Sequence, residues 1–219
     1  MDNIISVNRK YLNIVKLEIL DISEKFFKKK ILNIEDIFSK LLNSRKRSQL
    51  FDALNMMVSL QMLNYQVKNQ IEKRTKRHLL NWTYPQIRID GDFAKDFIAP
   101  LHLDRWILDK DKRGYVIWIP INKKGSTLLI SKKHNLKKIV RNNYWGLEAK
   151  DNLKLKKIHV PFGKALIFDE KTIHKSNNID NNRVTIQLRY EIAKYKNFKR
   201  TVNQVIDINI KKYWFNKYK

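Results

Sequence analysis

Four separated residues, His102, Asp104, His174 and Arg183, are of the types that hold a metal ion and an anion beside it. His102 and Asp104 lie two positions apart in the run Pro-Leu-His-Leu-Asp-Arg-Trp at 100–106. On an extended strand alternate side chains leave the same face, so an imidazole and a carboxylate at this spacing can meet at one point. His174 follows a β-like run at 164–173 and would add a second imidazole. Two imidazoles and one carboxylate bind a divalent ion from one side and leave its other positions open, a donor set suited to Fe(II). Turn formers fill 175–182 and Arg183 opens the next β-like run, which keeps the guanidinium at the same end of the fold as His174. A guanidinium there offers forked, charge-assisted hydrogen bonds to the far carboxylate of a ligand whose near end chelates the ion. A His-x-Asp pair alone is better described as a structural, metal-free hydrogen bond at a strand end. The later residues give it its meaning.

The elements that must position these groups read as strands. Runs at 82–89, 115–121, 127–131, 153–160, 164–169 and 183–190 are rich in Ile, Val, Leu and aromatic residues and are separated by Gly, Asn, Asp or Lys. Six or more short strands at this spacing predict a sandwich or jelly roll. Gly125 and Gly163 fall where turns are needed, and Pro85 predicts an edge strand or a bulge in the first run. In the last run Arg183, Thr185, Gln187 and Arg189 share one face and Val184, Ile186, Leu188 and Tyr190 the other, so the polar face would line a cavity.

Residues 1–80 read as helical. Asn33 is a candidate N-cap, with Glu35 and Asp36 in the first turn where the helix dipole favours them. Leu50, Leu54, Met57, Val58, Gln61 and Tyr65 fall near a period of about 3.6 and predict a helix lying against a sheet. Met56, Met57 and Met62 read as core filler. The tail from about 196 to 219 carries Phe198, Tyr213, Trp214 and Phe215, which predict packing on the core. His78, His134 and His159 read as ordinary terminus, loop and strand residues, and Trp106 and Trp145 suit either packing or a substrate mouth.

A chain of 219 residues suits a single domain with a full core. The absence of cysteine excludes disulfide scaffolds, iron-sulfur clusters and thiol nucleophiles, and leaves His, Asp and Glu as metal ligands. The first ten residues lack the order of a secretory signal, and no apolar run is long enough for a membrane span. A soluble, cytoplasmic protein is expected. The net charge of +25 is mostly lysine, spread along the chain without a basic block or nucleic-acid motif, so no nucleic-acid partner is expected. An anionic substrate remains a milder reading of that charge.

Over about residues 86–190 the sequence resembles the phytanoyl-CoA dioxygenase-like branch of the Fe(II)- and 2-oxoglutarate-dependent oxygenases. His102-Leu103-Asp104 looks like the family's first two iron ligands and His174 like the third. Trp118, in Val-Ile-Trp-Ile-Pro-Ile, matches an aromatic that lines the co-substrate pocket, and the segment from Gly125 to His134 is similar to the family's Asn-Gly-x-Leu segment. Ser176 and Arg183 match the hydroxyl and arginine that hold the distal carboxylate of 2-oxoglutarate. Lys132-Lys133-His134 lacks the family's Pro-Gly turn, and the interval from His174 to Arg183 is about two residues short, which makes Arg189 a rival clamp. The resemblance implies a mainly β chain with N-terminal helices, a double-stranded β-helix (cupin-like jelly roll) at about 82–195, and the cofactors Fe(II) and 2-oxoglutarate. It implies oxidation, usually hydroxylation, of a small-molecule or sugar-linked substrate by dioxygen. Trp118-Ile119-Pro120-Ile121 and the short loop after His174 look like oxygenases of bacterial carbohydrate pathways, a streptomycin-biosynthesis-like branch. Two other classes fit parts of the sequence: a cupin-like metal-dependent sugar-nucleotide isomerase or epimerase, and a non-catalytic basic module binding polyanions.

Overall fold

The computed structural model describes residues 3–38, 40–41, 44–90, 101–104, 113–131, 139–141, 147–149, 153–176 and 182–193. In chain order these form β1 (Asn3–Ser6), α1 (Arg9–Phe27), α2 (Glu35–Phe38), α3 (Ser44–Asn55), α4 (Val58–Thr75), β2 (Leu79–Asn81), β3 (Gln86–Asp90) and β4 (Gly114–Pro120). There follow β5 (Ser126–Ser131), β6 (Ile139–Arg141), β7 (Leu147–Ala149), β8 (Leu155–Val160), β9 (Lys164–Asp169), β10 (His174–Ser176) and β11 (Arg183–Ile192). The chain is mainly β, and its described strand pairs are all antiparallel.

A larger sheet runs β1-β9-β4-β11, with β2 and β3 end to end along the free edge of β11. A smaller sheet runs β10-β5-β8, and β6 and β7 form a separate hairpin. The two sheets are held face to face by apolar side chains from both: Val116 and Trp118 of β4, Leu166 and Phe168 of β9, Leu128 and Ile130 of β5, Ile158 and Val160 of β8. The other faces of β4, β9 and β11, through Ile117, Ile119, Ala165, Ile167, Val184, Ile186 and Leu188, pack in one cluster with the helices. β4 is therefore covered on both sides, which is why its sequence is an almost unbroken apolar run rather than an alternating one.

Alternation in β11 follows the expected division. Val184, Ile186, Leu188 and Tyr190 join the helix-side core, while Arg183, Thr185 and Arg189 are buried on the opposite face. Turns close where glycine permits a positive φ: Gly125 has φ +75° and Gly163 φ +85°. At Gly125 the restriction is double, because a Cβ would lie 2.3 Å from the Val160 carbonyl oxygen.

The N-terminal region departs from an all-helical reading. Residues Asn3–Ser6 pair with β9 as an edge strand of the larger sheet, and Leu79–Asn81 pair with β11. Segments this short carry too little alternation to stand out from the helices beside them. The single stripe through Leu50 and Tyr65 is two helices, broken at Met57, whose ψ of 134° is extended. Leu50 and Leu54 are buried from α3, and Leu60, Leu63, Val67 and Ile71 from α4; Gln61 and Tyr65 are half-buried because the break shifts the phase. Met57 is buried as core filler, but Met56 is 84% exposed. Asn33 caps α2 as expected: its Oδ1 accepts from Asp36 N at 3.0 Å, and Asp36 Oδ2 accepts in return from Asn33 N at 3.0 Å. The run expected at 82–89 starts only at Gln86, because Pro85 has no N–H to donate and the chain leaves the edge of β11 between β2 and β3. The tail at 196–219 lies outside the described residues, as do Trp106, His134 and Trp145.

Candidate metal centre and anion clamp

β10 presents His174 and Ser176 to the space between the sheets, since residues two apart share a face. One edge of β10 pairs with β5, and at the other His174 makes an isolated bridge to His102. His102 N donates to the His174 carbonyl at 2.9 Å and His174 N to the His102 carbonyl at 2.8 Å. This backbone pair places the two imidazoles side by side, with centroids 4.1 Å apart, and carries Asp104 to the same point. Phe168 closes one side, its ring 4.7 Å from that of His174. One ligand atom each from His102, Asp104 and His174 lies within 4.8 Å of the others, and all three residues are buried.

The polar atoms in this cluster are arranged for a cation. His174 Nδ1 lies 2.9 Å from the Thr172 carbonyl oxygen, which can only accept, so Nδ1 carries the proton and Nε2 is left with a lone pair. That nitrogen faces Asp104 Oδ2 at 3.7 Å, too long for a hydrogen bond. Asp104 Oδ2 is buried and has no partner. Burial drives the His174 pKa below its ordinary value, helped by Arg189 and Arg88 and opposed by Asp104 and the Thr172 contact, which favours the neutral imidazole. Burial is the largest influence on the Asp104 pKa and would raise it; the Arg189 guanidinium, the two histidines and the Arg189 hydrogen bond together outweigh it, and the carboxyl is held below the usual range. Two inward acceptors without a donor between them are costly in a dry interior, and a divalent ion bound by both would remove that cost. The residues present therefore fit a metal.

Arg189 belongs to this centre. Its Nε donates to Asp104 Oδ1 at 3.0 Å, Nη1 to Gln86 Oε1 at 2.8 Å and Nη2 to Gln187 Oε1 at 2.7 Å.

Arg183 forms a second cluster. Its Nε donates to Asp90 Oδ2 at 3.0 Å, Nη1 to the Thr127 carbonyl at 3.4 Å, and Nη2 makes a short hydrogen bond to Ser176 Oγ. The guanidinium carbon lies 5.9 Å from the centre of the Trp118 ring, within cation–π range. Asp90 also accepts from Arg88 Nη2 at 3.2 Å through its other oxygen. Burial would raise the Asp90 pKa, but the charges of Arg88 and Arg183 and their hydrogen bonds prevail, and it is lowered.

The structure thus brings His102, Asp104 and His174 to one point, and Arg183, Ser176 and Trp118 to another. It places Arg189 against Asp104 rather than beside Ser176. His78 and His159 are exposed. Sequence reasoning passed over Asp90, Arg88, Gln86 and Thr172, and placed Gln187 on the polar face of β11 without giving it a partner. Gln86, Arg88 and Asp90 alternate along β3, a period-2 polar pattern that marks a strand face turned toward polar partners.

Fold and site together define a class: a two-sheet antiparallel β protein with a buried two-histidine, one-carboxylate cluster between the sheets. No protein family and no curated protein matches the sequence. Among solved structures the chain is similar to ThoJ, described as a non-heme monooxygenase, with a TM-score of 0.52 and 11% identity over 87% of this chain and 74% of that one. A nickel complex of ThoJ matches with a TM-score of 0.51 and 10% identity over the same shares. A 2-oxoglutarate complex of EvdO2 from Micromonospora carbonacea var. aurantiaca is a weaker match, with a TM-score of 0.35 and 16% identity over 73% and 64% of the two chains. At these identities the likeness to ThoJ is one of fold. Among the described residues no helix is long and apolar enough to cross a membrane.

Proposed function

We propose that this chain is an Fe(II)- and 2-oxoglutarate-dependent oxygenase that oxidises a C–H bond of a small-molecule or sugar-linked substrate. One observation carries the reading. The unpartnered Asp104 Oδ2 facing His174 Nε2 sits one strand step along β10 from an arginine-serine pair that can grip an anion. His174 and Ser176 share a face of β10, and residues two apart on a strand are separated by about 7 Å. That spacing suits a short dicarboxylic acid whose keto-acid end reaches the metal and whose far carboxylate reaches Arg183. The order β3-β11-β4-β9 in one sheet, with His102-β10-β5-β8 in the other, supports reading the two sheets as a jelly roll.

When bound, Fe(II) and 2-oxoglutarate supply the oxidation, in which dioxygen and 2-oxoglutarate give succinate, carbon dioxide and an oxidised substrate. The protein's part is placement. His102, Asp104 and His174 would hold the ion. The Thr172 carbonyl fixes the tautomer and ring orientation of His174. Arg183 and Ser176 take the far carboxylate, with Asp90 holding the guanidinium in place and Trp118 against it. Phe168 and Trp118 help keep water from the space between the sheets. A cytoplasmic location, no nucleic-acid partner and a place in bacterial carbohydrate chemistry accompany this reading as proposals.

Anaerobic titration with Fe(II) and then 2-oxoglutarate tests it. The expected result is the weak visible charge-transfer band of the chelate, lost in His102→Ala. Metal binding without any response to 2-oxoglutarate would favour the cupin-like isomerase, and salt-sensitive polyanion binding indifferent to His174→Ala would favour the basic module.

A further inference from the structure

We propose that Arg189, braced by Gln86 and Gln187, is a positioning residue that occupies one oxygen of Asp104 and so makes it a one-oxygen metal ligand. The inference rests on the metal-centre reading above.

Every nitrogen of this guanidinium is engaged: Nε with Asp104 Oδ1 at 3.0 Å, Nη1 with Gln86 at 2.8 Å and Nη2 with Gln187 at 2.7 Å. Gln86 and Gln187 are direct register partners on β3 and β11, so the two amide oxygens bracket the guanidinium from neighbouring strands. A planar, fixed donor fork held at both outer nitrogens cannot swing away from the carboxylate. The division of labour within Asp104 is then complete. Oδ1 is hydrogen-bonded, while Oδ2 has no partner and faces His174.

The consequence lies in the count of open positions. A carboxylate can give a divalent ion one oxygen or both. With two imidazoles and one carboxylate oxygen, an octahedral ion keeps about three positions, enough for a two-atom chelate and one dioxygen. With both oxygens of Asp104 bound it keeps about two, which the chelate alone would fill. Arg189 preserves the third. Its engagement at Asp104 also removes it from the role of distal carboxylate clamp.

The test is to count inner-sphere waters on Mn(II), an oxygen-insensitive stand-in, bound to the whole chain, by broadening of its electron paramagnetic resonance signal in oxygen-17 water. Arg189→Met and Arg189→Gln are compared. Both are neutral and reach as far as Nε, but only Gln can place an N–H there. Wild type and Arg189→Gln are expected to show about three waters, and Arg189→Met about two with Mn(II) bound as tightly or more so. Equal counts in both variants overturn the proposal, as does weaker binding in Arg189→Met with an unchanged count. Should Arg189→Met fail to fold, the wild-type count decides alone, since about two waters there means that Arg189 does not protect Oδ1. Failure of wild type to bind Mn(II) in a His102-dependent way would instead remove the metal centre itself.

Discussion

Replacing Asp90 by asparagine isolates the electrostatics of the buried Arg183 cluster proposed to clamp an anion. Asp90 and Arg183 are 5% and 3% exposed, and their contact at 3.0 Å is a buried ion pair. Removing one member of such a pair leaves a desolvated charge and costs about 3–5 kcal/mol. Asparagine keeps an acceptor for Arg183 Nε, so the lower end, about 3 kcal/mol, is expected. For a chain of this length that is a fall of about 6–12 °C in Tm. Because the folded-state pKa of Asp90 is lowered, the carboxylate's contribution is complete above the ordinary aspartate value of about 3.9 and is lost as pH falls through the lower folded value. The gap between wild type and Asp90→Asn should therefore be constant near neutrality and close only in that acid window. A far carboxylate bound at Arg183 would replace the missing charge, so 2-oxoglutarate with Mn(II) should restore part of the loss, about 2.7 kcal/mol at a hundredfold excess over Kd. Thermal unfolding by circular dichroism, run from neutral to acid pH with and without the ligand, reads all three effects. A Tm within about 2 °C of wild type at neutral pH would refute the reasoning, because a shift that small corresponds to no more than about 1 kcal/mol.

Three further outcomes are expected. Arg183→Ala should raise the 2-oxoglutarate KM by about thirtyfold or more, the equivalent of about 2 kcal/mol, with Mn(II) affinity little changed; equal loss of metal affinity would move Arg183 into the metal centre. Gly125→Ala should destabilise by about 2 kcal/mol or more, since its φ is +75° and the new Cβ would meet backbone at Val160 and Pro161 that cannot step aside; denaturant unfolding with unchanged midpoint would count against it. Tyr190→Phe should cost about 1–2 kcal/mol because the buried hydroxyl donates to Asn64, at 2.9 Å to its carbonyl and 2.8 Å to its side chain, tying β11 to α4. Its Mn(II) affinity should match wild type, because Tyr190 lies on the helix side of β11.

The residues that the structure brings together were readable as candidates because residue type and short-range period single them out. The alternation of β11 follows from side chains leaving opposite faces of a strand; His174, expected to follow the end of a run at 164–173, instead opens the short strand β10, and His102 and Asp104 meet through an isolated bridge and a turn rather than on one extended strand. Two-sided burial of β4 appears only in the fold, where it accounts for an apolar run without alternation. The edge strand at Asn3–Ser6 and the break at Met57 were not readable, because four residues carry little periodicity and a single non-helical residue between two apolar stripes leaves no gap in the pattern.

What separates the two arginines is tertiary. Along the chain Arg183 and Arg189 are members of one polar strand face; the short interval from His174 favours Arg183 as the clamp, but nothing in the spacing names the partners of either guanidinium. That is decided by what the other strands bring opposite them: Ser176 and Asp90 beside Arg183, Gln86 and Asp104 beside Arg189. The sequence determined the candidate donor set and the polar face of β11, because residue type and strand alternation are local. Only the folded chain decided the partners, because a hydrogen bond between residues 85 positions apart depends on how strands pair across the sheets.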